Sequence, residues 1–196
     1  IGQRHLRNLR LLYGDSIEII ACRTRGLARV LTDDLEITEG DVEEVYGIRA
    51  CYSLEKALEL RPAVVFVCNP TSLHMPTALA AAEAGCHIFI EKPLSHSWEG
   101  VEALITTVER NQLTASVGYQ MRFHPCLRRL KELLDERALG RLIAVRAEVG
   151  EYLPHWHRYE DYRQMYAAQS GLGGGVVLSQ IHEIDYLCWL FGSPRR

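Results

Sequence analysis

Short apolar runs alternate with helical segments along the first part of this chain, and that alternation restricts its fold more than any other feature. The runs lie at 16–22, 63–68, 87–90 and 114–118, with a weaker one at 47–52. Between them, 25–31, 54–60, 74–84 and 97–111 read as helices. Continuously apolar strands are buried on both faces, and strands separated by helices pair in parallel. The expected fold class is α/β, a doubly wound parallel sheet with helices on both faces. The segment Ala78-Leu79-Ala80-Ala81-Ala82 is strong helix sequence, and Gly85 reads as the cap that ends its helix.

The character changes after Gly118. Residues 125–137 read as an amphipathic helix with Leu127, Leu130 and Leu134 on one face. Residues 141–149 read as a long strand, 151–172 are aromatic and charged without period, and 173–191 read as a second long helix. The boundary is expected near Tyr119, giving domains 1–118 and 119–196. Both ends read as cut. The chain enters a helix at once, with Leu6, Leu9 and Tyr13 on its apolar side, where a doubly wound sheet has a central strand first. The expectation is an internal piece of a longer protein, lacking the first strand of the sheet.

Composition narrows the function by exclusion. A net charge of -3 with no long basic cluster leaves no footprint for nucleic acid. The apolar stretches fall short of a membrane span, and nothing reads as a signal peptide, so the expected location is the cytoplasm. The six cysteines form no C-x-x-C pair and read as reduced, packed thiols. His155 and His157 lack a third ligand, and no metal is expected.

Chemistry concentrates at Glu91-Lys92-Pro93, directly after the apolar run 87–90. A lysine at the carboxyl end of a buried parallel strand faces the crevice where open α/β sheets bind ligands. There it can hold a substrate oxygen and a cofactor ribose together, while the proline fixes the backbone.

Five pieces in chain order resemble the Gfo/Idh/MocA oxidoreductases, the glucose-fructose oxidoreductase and inositol dehydrogenase family. Ile1-Gly2 is similar to the end of that family's G-x-G-x-x-G turn. Cys68-Asn69-Pro70-Thr71-Ser72-Leu73-His74 is similar to its strand-end cofactor loop, and Glu91-Lys92-Pro93-Leu94 to its lysine motif. Residues 118–125 resemble its domain crossover. Gly173-Gly174-Gly175 followed by His182-Glu183-Ile184-Asp185 resembles its glycine-rich turn and H-x-x-D helix. The resemblance covers the whole chain. It implies a Rossmann-like sheet without its first strand, followed by part of an α+β substrate and dimerisation domain. It also implies a homo-oligomer when the protein is full length.

The resemblance assigns cofactor contacts to Ile1, Gly2, Asn69, Pro70, Thr71, His74, Glu91, Lys92, Pro93 and Gln120. Strand 16–22 ends in Arg23-Thr24-Arg25, where an acid binds a ribose 2′-hydroxyl and an arginine accommodates a 2′-phosphate. No acid stands there and two arginines do, so NADP is favoured over NAD. The alternative is that Arg23 and Arg25 are solvated surface charges. His74 reads either as a cofactor neighbour or as an exposed first-turn residue.

Lys92 and His182 are the expected catalytic pair: a cation for the substrate oxygen and an acid/base for its proton. The stripe Val177, Ile181, Ile184, Cys188 and Phe191 reads as core, and Ser179, His182 and Asp185 form a polar line. Many dehydrogenases of the resembled family carry an aspartate one turn before the histidine. Here that turn holds Ser179 and no carboxylate. Expected substrate contacts are Lys92, Arg122, Trp156, His157, Tyr162, Arg163, Ser179 and His182, with Arg122 read equally well as a salt-bridge partner. The expected activity is an NAD(P)-dependent oxidoreductase acting on a sugar, cyclitol or nucleotide sugar. The alternatives are an NAD-dependent glycosidase of the same fold and a non-catalytic dinucleotide-binding regulator.

Overall fold

The computed structural model describes residues 1–23, 29–32, 34, 36–157 and 159–194. Helix α1 (Gly2–Tyr13) leads into strand β1 (Ile20–Cys22), then β2 (Val30–Leu31), β3 (Ile37–Thr38), helix α2 (Val42–Tyr46) and β4 (Arg49–Cys51). Helix α3 (Leu54–Glu59), β5 (Val64–Val67), α4 (His74–Glu83), β6 (His87–Ile90), α5 (Val101–Arg110) and β7 (Ala115–Val117) complete the alternating half. Helices α6 (Pro125–Asp135), α7 (Val176–Ser179) and α8 (Ile181–Phe191) follow.

The strands that follow the apolar runs pair in parallel as expected. β5, β6 and β7 form one sheet in that order, with Val67 opposite Ile90 and Ile90 opposite Val117. β1 pairs with β4, bringing Cys22 opposite Cys51. Local chemistry sets the helix ends. Asp41 and Ser53 accept backbone N–H groups at the starts of α2 and α3. Gly85, at φ 80, turns the chain out of α4.

The main core joins Val67, Ile88 and Ile90 of the sheet to Met75, Ala78, Ala81 and Ala82 of α4 and to Val101 and Leu104 of α5. The alanines of α4 let its axis lie close to the strands. Each large side chain buried here stabilises the fold by about 1.5–3 kcal/mol. A second cluster gathers Val30, Val42, Tyr46 and Ile48 with Leu6 of α1 packed against it. Arg10 fixes α1 to this cluster: its guanidinium donates to the carbonyls of Gly14, Ile17, Tyr46 and Gly47.

Several expectations are corrected. Within 25–31, the described residues Val30 and Leu31 form a strand, antiparallel to β3, and not a helix. Helix α5 begins only at Val101, because Gly100 adopts φ 78 and breaks the preceding turn. Residues 141–149 form no strand and pair with none among the described residues, and Ile143 is 94% exposed. An alternating pattern makes a strand only when a neighbour supplies the other half of the ladder.

Residues 173–191 form two helices, not one, with Gln180 at φ -100 and ψ 33 between them. The break has a cause. The Ser179 carbonyl accepts from the Lys92 ammonium, which competes with the helical bond it would otherwise accept. The supposed core stripe is partly bare, with Val177 61% and Ile184 48% exposed.

Candidate active site

The strand ends of β5 and β6 build the first wall. The Glu91 N–H donates to the Val67 carbonyl at 2.9 Å, so the ladder continues one residue past β6 before Lys92 leaves it. The Lys92–Pro93 peptide is cis. His74, the first residue of α4, is buried, not an exposed first-turn residue. Its Nδ1 faces the Pro93 carbonyl at 2.8 Å and its Nε2 faces the Asn69 carbonyl at 2.9 Å. Burial is the largest influence on His74 and pushes its pKa down, against the pull of those two carbonyls. A neutral ring donates to only one of them at a time. His74 therefore braces the two loops from behind, with neither ring nitrogen left for a ligand.

Thr71 is buried in the short turn that follows Pro70. Asn69 donates from Nδ2 to Thr77 Oγ1 at 2.8 Å, and its Oδ1 is buried without a partner among the described residues. Ile1 and Gly2 lie at the start of α1, and a Cβ placed on Gly2 would meet the Cβ of Cys68 at 3.9 Å. That is ordinary contact, so close packing alone does not demand glycine there. Burial, with the Glu91 charge nearby, pushes the Cys68 thiol up to about 12.

Glu91 has a partner that sequence reasoning missed. His5 Nε2 lies 2.6 Å from its Oε1, while the Lys92 N–H donates to its Oε2 at 3.3 Å. The His5 ring packs against Phe66 and Phe89. Burial pushes the Glu91 carboxyl up, but the His5 hydrogen bond and the neighbouring charges outweigh it, and the pKa falls below its ordinary value. No local motif announces this pair, because its members stand 86 positions apart.

The second wall is the junction of α7 and α8. Lys92 Nζ donates to the Ser179 carbonyl at 2.7 Å. Burial lowers the Lys92 pKa, and the charges of Glu91, Glu183 and Glu151 oppose that fall. His182 follows in the first turn of α8, and Gln120 Nε2 lies 3.3 Å from its Nε2. Burial first, and then the Lys92 charge, hold the His182 imidazole below its ordinary pKa. Lys92, His182, Gln120 and Ser179 are thus brought together. Arg122 is committed elsewhere: it donates to both oxygens of Asp185, at 2.9 and 2.6 Å.

A cleft of about 260 Å³ opens beside this junction, lined in part by Glu151, Trp156, Gly175, Ser179 and Gln180. Trp156, His157 and Tyr159 stack in a column, and Arg29 caps it over the Tyr159 ring. Only Trp156 of the expected aromatic contacts lines the cleft. Tyr162 and Arg163 pack on each other, and Arg163 is exposed. Gly173 closes the glycine-rich turn onto the loop after β5, where its Cβ would meet Thr71 at 2.9 Å. Arg23, at the end of β1, lies 3.4 Å from Glu43, an acid twenty positions further on. Thr24 and Arg25 lie outside the described residues.

A dinucleotide fits these groups. Asn69 Oδ1 is an unused acceptor at a strand end, suited to a ribose hydroxyl. Ser179 Oγ and His182 Nδ1 are buried and unpartnered among the described residues, at the junction whose Ser179 carbonyl accepts from the Lys92 ammonium. Parallel strands that deliver a lysine and a polar loop to one crevice define a dinucleotide-binding oxidoreductase fold.

Comparison with known proteins carries the assignment to a family. The oxidoreductase family with the NAD-binding Rossmann fold, GFO/IDH/MocA, matches residues 1–119, and the GFO/IDH/MocA C-terminal domain matches residues 127–196. The chain belongs to the Gfo/Idh/MocA family. It is 33% identical over 132 residues to a levoglucosan dehydrogenase of Pseudarthrobacter phenanthrenivorans, covering 66% of this chain and 33% of that protein. Its fold is similar to the WlbA dehydrogenase of Chromobacterium violaceum, solved with NADH and UDP-GlcNAcA. There the TM-score is 0.72 at 24% identity, covering 98% of this chain and 52% of that one. A myo-inositol 2-dehydrogenase of Lactobacillus plantarum gives a TM-score of 0.78 at 20% identity, covering 97% and 53%. The chain therefore spans between a third and about half of the length of these relatives.

Proposed function

We propose that this chain supplies the cofactor half and part of the substrate half of an NAD(P)-dependent oxidoreductase. Its substrate is a hydroxyl or carbonyl group on a sugar, cyclitol or nucleotide sugar. The observation that carries the reading is the 2.7 Å bond from Lys92 Nζ to the Ser179 carbonyl, which sets the strand-end lysine against the turn that bears His182. A nicotinamide cofactor held here would supply hydride transfer to or from the substrate carbon. Lys92 stabilises the charge that develops on the substrate oxygen. His182, held neutral by burial and by Lys92, takes the hydroxyl proton. Trp156 offers a flat face to a sugar ring. The relatives named for levoglucosan, inositol and a UDP-sugar support that substrate class.

Asn69, Pro70, Thr71 and Gln120 are proposed to touch the cofactor with the start of α1, while His74, Glu91 and Pro93 shape the loops that hold it. Arg23 favours NADP by pairing with a 2′-phosphate. The Glu43 carboxylate beside it favours NAD, because it repels phosphate and accepts from a ribose hydroxyl. The domain boundary is placed near Tyr119, and association into a homo-oligomer is proposed for the full-length protein. The test is reduction of NAD or NADP driven by a panel of sugars and cyclitols. Substrate-dependent formation of the reduced nicotinamide supports the reading. Hydrolysis of a glycoside with no net cofactor change would assign the fold to glycosidase chemistry instead.

A further inference from the structure

Lys92 leaves the sheet where the ladder gives its backbone nothing to hold. The Glu91 N–H still donates to Val67 and the Gly118 N–H to Ile90, but no backbone carbonyl accepts the Lys92 N–H among the described residues. Its acceptor is a side chain, Glu91 Oε2, at 3.3 Å. Such a bond steadies the backbone only if the side chain is itself held. Glutamate loses much rotamer freedom when it is ordered, so the contacts around this carboxylate decide how firmly Lys92 is placed.

His5 is the main such contact. Its Nε2 lies 2.6 Å from Glu91 Oε1, and both side chains are largely buried. An ionised carboxylate only accepts, so His5 donates. The ring of His5 is anchored apart from Glu91, with its centroid 5.5 Å from that of Phe66 and 5.2 Å from that of Phe89. Strand β7 closes the opposite side: a Cβ on Gly118 would meet Phe89 Cζ at 3.1 Å and the Glu91 carboxyl carbon at 3.5 Å. Beyond the lysine, His74 Nδ1 faces the Pro93 carbonyl at 2.8 Å. The backbone is thus steadied before and after Lys92, whose Nζ then reaches the Ser179 carbonyl at 2.7 Å. We infer that His5 is a positioning residue for Lys92: through Glu91 it fixes the peptide from which the lysine departs, and so sets the ammonium against the turn that bears His182. Because His5 stands near the start of α1, the same contact ties Lys92 to the helix proposed to touch the cofactor. This rests on the proposed role of Lys92.

The rival role for His5 is packing alone, as the third ring of the cluster with Phe66 and Phe89. Two substitutions in the full-length protein separate the roles. His5→Phe keeps a ring and removes the donor, whereas His5→Gln gives up the ring and keeps an N–H donor. The readout that needs no turnover is hydrogen exchange at the Lys92 amide, resolved by NMR or fragmentation mass spectrometry. Exchange should rise about tenfold in His5→Phe and stay within about threefold of the wild type in His5→Gln. With an oxidised substrate, kcat should fall about tenfold or more in His5→Phe, with KM within about threefold. Wild-type exchange in folded His5→Phe overturns the inference, as does exchange in His5→Gln that equals or exceeds that of His5→Phe. If His5→Phe does not fold, the same change is made in Glu91→Ala, where no carboxylate is left unpaired. There it should alter Lys92 exchange by less than about twofold, and a further rise overturns the inference. The expected exchange pattern in a protein that oxidises no sugar leaves His5 positioning Lys92 and sinks the proposed function alone. Sugar oxidation with unchanged exchange in His5→Phe does the opposite.

Discussion

His5 and Glu91 meet at 2.6 Å, joining the first turns of α1 to the residue that precedes the site lysine. The helix that faces the cofactor phosphates in a dinucleotide fold and the strand end that carries Lys92 are thereby held by one contact. The ring of His5 also packs against Phe66 and Phe89, which touch each other, so the imidazole is held by a three-ring cluster as well as at Nε2.

The acid limb of alcohol oxidation reports on His182. The base must be neutral to accept a proton, and burial with the Lys92 charge holds the His182 pKa below its ordinary 6.5. Activity in the oxidation direction should persist below pH 6.5 and then fall about tenfold per pH unit. Lys92→Met removes the repelling charge and should raise the His182 midpoint, read by NMR of the imidazole. A midpoint that stays put or falls would show that Lys92 does not act on this ring.

His74 makes stability depend on pH. Its folded pKa is depressed by burial. Its contribution is fully present above the ordinary histidine value of 6.5 and is lost as pH falls through the folded value. Between those limits the unfolded chain binds a proton that the folded one refuses. Urea midpoints should drop across this window in the wild type, by at most about 1.4 kcal/mol per pH unit. His74→Gln should show a shallower slope, and an unchanged slope would remove His74 as the source.

Gly174 has no room for a side chain. A Cβ there would meet the Tyr166 carbonyl oxygen at 2.2 Å and the Ala167 carbonyl oxygen at 2.7 Å. Gly174→Ala must displace the turn that carries Ala167, which lines the cleft. The expected loss is about 1–3 kcal/mol of stability, measured by thermal or urea unfolding. Full stability in the variant would mean that the turn shifts at no cost.

Arg23→Ala separates the two cofactor readings. If Arg23 pairs with a 2′-phosphate, the variant loses about tenfold or more in NADPH affinity and little in NADH affinity. If Glu43 governs the site, NADH binds better than NADPH in the wild type, and Arg23→Ala weakens both alike. Fluorescence titration with each reduced cofactor distinguishes them.

The strand ends were the legible part of this chain. Apolar runs followed by Asn69 and by Lys92 place polar groups where a parallel sheet opens, whatever the rest of the chain does. Pairing at a distance was not legible. Neither His5 nor Glu91 carries a local sign of the other, and Arg23 gives no hint of Glu43. The helix break at Gln180 was also hidden, because its cause is a lysine 87 positions before Ser179. Residues 141–149 misled for a related reason: alternation records a face that suits a sheet, but not the presence of a partner strand.

The most direct measurement compares cofactor binding and turnover in the wild type and Lys92→Ala, side by side, with an oxidised substrate identified from the sugar and cyclitol panel. The account predicts that Lys92→Ala binds cofactor within a few-fold of the wild type and loses about 10²-fold or more in kcat. Near-normal turnover without Lys92 would contradict it.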